Sequence, residues 1–116
     1  MREGTPPSPL SSPLLKMASA LQLVKEKEAS LRHLEKAAYW NRDACENAVD
    51  DACDALASAE ERLEENPSDE DLLYLVAGRK KALDDAREEL EKALEYQINL
   101  WDEMERLRSS LQELQQ

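Results

Sequence analysis

Hydrophobic residues recur along this chain at alternating spacings of three and four. From Leu72 to Leu114 they fit one unbroken heptad pattern. Val76, Leu83, Leu90, Gln97, Met104 and Leu111 fall at position a, and Leu72, Arg79, Ala86, Ala93, Leu100, Leu107 and Leu114 at position d. An earlier stretch repeats the pattern. It places Leu14, Leu21, Glu28, Glu35, Arg42, Val49, Leu56 and Leu63 at a, and Met17, Val24, Leu31, Ala38, Cys45, Ala52 and Ala59 at d. Such a period marks helices that share a narrow seam. Asn66-Pro67-Ser68 separates the two stretches and is the only strong helix breaker after Pro13. Proline drives the residue before it out of the α region, so helix one must stop there. The pattern predicts an all-α fold, one antiparallel coiled-coil helical hairpin. Its first helix covers about 14–65, its turn 66–68 and its second helix about 69–115.

The ends of the helices carry their own signals. Ser12 is suited to cap helix one, with Pro13 at its first position. Ser68 is the expected cap of helix two, because Ser68-Asp69-Glu70-Asp71 resembles a capping box. Acids in that first turn also favour the positive end of the helix dipole. A rival reading breaks helix one at Trp40-Asn41-Arg42-Asp43, where Asn41 or Asp43 could cap a new helix, but no Gly or Pro supports it.

A short turn fixes which layers meet. Leu63 is expected to face Leu72, Ala59 to face Val76, Ala52 to face Leu83 and Cys45 to face Leu90; Val24 is expected opposite Leu111. The same register places Glu46 beside Arg87, and Arg32 near Trp101 as a cation–π contact. The seam also contains polar residues: Arg79 alone near the turn, then Glu28, Glu35, Arg42 and Gln97 farther away. Around these, apolar side chains move to lateral positions. Leu34, Tyr39, Leu94, Tyr96 and Trp101 lie on the flanks, Ile98 at b and Trp40 at f. A two-stranded coil leaves such positions in water, so Tyr39, Trp40, Leu94, Tyr96, Ile98 and Trp101 form the candidate interface. The expected partner is protein, a homodimer or another helical protein. A two-fold dimer forming a four-helix bundle is the most economical assembly.

Composition agrees with long helices. Ala, Glu, Lys, Leu and Arg supply 66 of 116 residues, and Phe is absent. The net charge of −11 argues against nucleic acid and anionic membrane as partners, since an acidic chain releases no counterions from phosphates. No stretch approaches the length of a membrane span, and the first residues have no apolar core of a signal peptide. Cys45 and Cys53 are too far apart along one helix to bridge, as expected of reduced thiols in a cytoplasmic or nuclear protein. Helix two is still in phase at Gln116, as expected of the front part of a longer protein.

Residues 1–13 hold four of the five prolines and are expected to form a disordered or extended tail. Ser8 and Ser12 each precede proline and are candidate phosphorylation sites, as is Thr5 by the same rule. A second functional reading follows: an N-terminal regulatory domain controlled through this tail. The Pro6-to-Pro9 spacing lacks the adjacent basic residue of an SH3 ligand.

Catalytic chemistry is not expected. Asp43, Glu46, Asp50, Asp51 and Asp54 spread over several helical turns with no loop to wrap a cation. His33 is the one histidine, so neither a closed zinc site nor a Cys-His pair can be assembled, and Gly4 and Gly78 make no phosphate loop. The expectation is a non-enzymatic chain without metal, cofactor or small-molecule substrate.

Overall fold

The structure, a computed structural model, describes residues 11–115, with side chains from Leu14 onward. Thr5, Ser8 and the Pro6-to-Pro9 motif lie outside the described residues, and so does the side chain of Ser12. Two helices make up the fold, α1 (Ser11–Glu65) and α2 (Glu70–Gln115), with no strand among the described residues. The chain is an all-α helical hairpin. α1 begins at Ser11 instead of near Leu14, placing Pro13 in its first turn, where a missing N–H breaks no helical bond. It runs without interruption through Trp40–Asp43, so the rival three-helix reading fails.

The connection is one residue longer than the pattern suggested. The Asn66 N–H still donates to the carbonyls of Arg62 and Leu63, at 3.2 and 3.1 Å, completing α1. The Asp69 N–H then donates to the Asn66 carbonyl at 3.1 Å, closing a four-residue turn with Pro67 at its second position, where fixed φ is favourable. Ser68 is consumed inside this turn and does not cap α2. Asp69 does so instead: its Oδ1 accepts the N–H groups of Asp71 and Leu72 at 3.0 and 3.3 Å. With Asp69 as cap, the third helical residue is Leu72, so the capping-box pattern is not realised.

Two compact units divide the chain. The first is Lys36–Asn99, which contains the turn. Its buried residues are Ala38, Ala59, Leu72, Val76, Leu83 and Ala93, together with the polar Gln97. All are seam positions. Cys45, Val49, Ala52, Leu56, Leu63, Ala86 and Leu90 are half-buried at the remaining ones. Leu63 and Val76 line one surface groove, and Leu56 and Leu83 another. Arg79 departs from the rule: it stands at d yet is exposed. A long aliphatic stem lets such a side chain carry its charge out of a seam.

The second unit joins the described residues before Lys36 to those from Leu100 onward. Leu31 and Leu100 are its buried residues, and Leu21, Val24, Met104, Leu107, Leu111 and Leu114 are half-buried. Lys27 and Glu103 form an ion pair between the helices at 3.4 Å, with both side chains about half exposed. Such a pair contributes about 0–1 kcal/mol. Leu14, Leu15, Met17 and Leu23 remain exposed.

Asp69→Ala removes the cap and is expected to destabilise the fold by about 1 kcal/mol, whereas Ser68→Ala is expected to change it by less than ~0.5 kcal/mol. Urea denaturation of both variants decides between the two residues. Gly78 sits inside α2, and a Cβ added there would meet nothing within 4 Å. Gly78→Ala is therefore expected to stabilise by about 0.5–1 kcal/mol, read as a raised urea midpoint.

Candidate interaction surface

In each helix, positions a and d point at the seam, e and g flank it, and b, c and f face water. Side chains two residues apart on a helix point about 200° apart, while those three or four apart share a face. These rules, with the observed burial, sort the six candidate residues.

All six are exposed. Five belong to the unit 36–99. Tyr39 and Trp40 occupy e and f of α1; Leu94 and Ile98 occupy e and b of α2 and share one face, four residues apart. Trp40 is 69% exposed and Ile98 52%. Tyr96 stands two residues from both Leu94 and Ile98, so it points to the opposite flank. It does not belong with them. Trp101 lies in the other compact unit, where it is exposed at position e. Tyr96 therefore stands apart from Leu94 and Ile98. Tyr39, Trp40, Leu94 and Ile98 remain as the coherent group.

A polar bridge holds the two helices level at this group. The Arg42 Nη1 donates to Gln97 Oε1 at 3.1 Å. Gln97 is only 3% exposed, the most deeply buried polar residue described. The Arg42 guanidinium also lies over the Tyr39 ring, 5.0 Å from its centroid, a cation–π geometry. Its Nε is 3.6 Å from Glu46 Oε1, within ion-pair range but beyond a hydrogen bond, and is buried without an acceptor. Tyr39, Arg42 and Gln97 thus form one linked contact between α1 and α2. The polar residues expected to weaken the seam here satisfy each other in part.

Two expected pairs are replaced by local ones. Glu46 does not meet Arg87; Arg42, drawn inward by Gln97, takes it one turn away on the same helix. Arg32 does not stack on Trp101, because it pairs with Glu28 four residues earlier. In both cases the i,i+4 neighbour on the same helix is nearer than the residue across the seam.

Sequence reasoning passed over Leu73 and Tyr74. They occupy e and f at the start of α2, and Tyr74 is 78% exposed, more than either tryptophan. The same heptad puts both off the seam, and that is the signal in the sequence that marks them.

Titratable groups are spread along the helices. Cys45 and Cys53 are half-buried free thiols. Asp43, Glu46, Asp50, Asp51 and Asp54 are exposed, and no group of three His, Cys, Asp or Glu among the described residues could hold a metal ion. No helix among the described residues is long and apolar enough to cross a membrane. No protein-family model matches the chain, and no curated protein or solved structure matches it significantly.

The Arg42–Gln97 bridge has a measurable energy. Replacing both residues by leucine exchanges a buried polar pair for apolar packing and is expected to stabilise the fold by about 1–2 kcal/mol. Gln97→Leu alone strands the guanidinium and is expected to destabilise by ~1 kcal/mol or more. Urea denaturation of the two single variants and the double variant gives the coupling energy.

Proposed function

We propose that this chain is a non-catalytic protein–protein interaction or oligomerisation module of the cytoplasm or nucleus. It is an antiparallel coiled-coil hairpin that presents lateral apolar side chains to another helical protein or to a second copy of itself. The observation that carries the reading is the exposure of Trp40 and Ile98 beside Tyr39 and Leu94 in the unit 36–99. Grouped apolar side chains in water favour association, and tryptophan and tyrosine are favoured anchors of interfaces. The antiparallel register is supported by two contacts: Arg42 with Gln97 in one unit and Lys27 with Glu103 in the other.

Light scattering on the purified chain at high salt tests the reading. The expected state is a weak dimer in exchange with monomer, with Trp40→Ala and Ile98→Ala each weakening it by about tenfold or more. A dimer indifferent to both substitutions removes this surface from the reading. A chain that stays monomeric at every concentration removes self-association.

A further inference from the structure

Charge is unevenly divided between the two compact units. Residues 36–99 contain 18 acidic and 8 basic residues, a net charge of −10. The rest of the chain contains 8 acidic and 7 basic residues, a net charge of −1. Nearly all of the net acidity therefore belongs to the unit that carries Tyr39, Trp40, Leu94 and Ile98.

Within that unit the distribution is sharper still. From Asp43 to Glu65, α1 carries nine acidic residues and one basic residue, Arg62. Of these nine, only Glu46 has an ion-pair partner among the described residues. Trp40, Asp43, Asn47, Asp50 and Asp54 follow one another at spacings of three and four, so they line a single face of α1. All five are exposed. On α2, Glu91 and Glu95 stand three residues before Leu94 and Ile98, on the rim of the same apolar group. The lone base of the stripe is Lys36, one turn before Trp40.

We propose that the apolar face made by Tyr39, Trp40, Leu94 and Ile98 docks a basic amphipathic helix of another protein. This rests on the interaction-module reading and names its preferred partner. The partner's apolar stripe covers the four side chains, and its lysines and arginines, at helical spacing, follow the carboxylates of Asp43, Asp50 and Asp54. Complementary charge sets encounter and register, while the aromatic group supplies the anchor. A second copy is the weaker occupant, because it brings a net charge of −10 against −10. Anionic membrane and nucleic acid meet the same repulsion.

The test uses the full chain with Trp101→Phe, so that the emission of Trp40 reports on the face alone. The probes are a synthetic helical peptide of leucine and lysine and its counterpart with glutamate in place of lysine. The expected result is saturable binding of the lysine peptide with a shift of Trp40 emission, weakened by salt, and no binding of the glutamate peptide. Asp43→Asn/Asp50→Asn/Asp54→Asn is expected to weaken binding by about tenfold, whereas Glu60→Gln/Glu61→Gln/Glu64→Gln, the same change of charge elsewhere on α1, weakens it by less than about threefold. Helix content by circular dichroism confirms that each variant remains folded. Equal loss in both triple variants overturns the proposal, since net charge alone then explains binding. Failure to bind the lysine peptide also overturns it. If the chain still dimerises through Trp40, the interaction-module reading survives that failure; if it does neither, both fall.

Discussion

Each helix of this protein has one other helix to bury against, and that constraint governs everything else. A seam between two helices can cover only positions a and d, so the core is a strip and not a volume. Among the described residues no large side chain is wholly removed from water. Much of the buried strip is alanine, at positions 38, 59 and 93, which brings the backbones close but buries little surface. Stability in such a fold is collected layer by layer, and the turn at Asn66–Asp69 decides which layers meet. One residue more or fewer in that turn would rotate α2 by about 100° and remove its leucines from the seam.

A strip-like core has a second effect: it leaves no place for apolar side chains that are off the seam. Trp40, Ile98 and Tyr74 are therefore not packing residues that happen to be partly open. They project from positions that this fold cannot cover. Around Trp40 and Ile98 the seam also becomes polar, with Arg42 bonded to Gln97. Apolar surface outside and polar contact inside is the reverse of what stability alone favours, and the inversion is confined to a few turns of the hairpin.

Much of this was legible in the sequence. From Leu21 onward every a and d position except Arg79 is buried or half-buried, because a period maintained over many turns outweighs local propensity; Cys53, Ala55, Leu75 and Glu103 are half-buried on the flanks. The turn was located but its cap was not. Ser68 and Asp69 are both good caps, and the turn bond from the Asp69 N–H to the Asn66 carbonyl leaves Ser68 inside the turn. Ion pairs were read less well. Arg32 and Arg42 have long, flexible side chains, and neighbours on their own helix compete with residues across the seam on nearly equal terms. The six interface candidates are all exposed, and two residues of helix turn Tyr96 away from both Leu94 and Ile98. No periodicity in a sequence identifies what covers an exposed face; charge is the remaining guide to a partner's chemistry.

The Arg42–Gln97 bond has one more implication. A heptad seam is nearly periodic, so sliding one helix past the other by seven residues returns apolar against apolar at many layers. Apolar contacts alone therefore distinguish poorly between the native alignment and its slipped copies. Arg42 is the one basic residue among the α1 seam positions and Gln97 the one amide among those of α2. Slippage in either direction parts them and leaves Arg42 beside Leu90 or Met104, with no amide to accept its N–H. In a zip of like teeth, they are the odd pair that engages at a single setting.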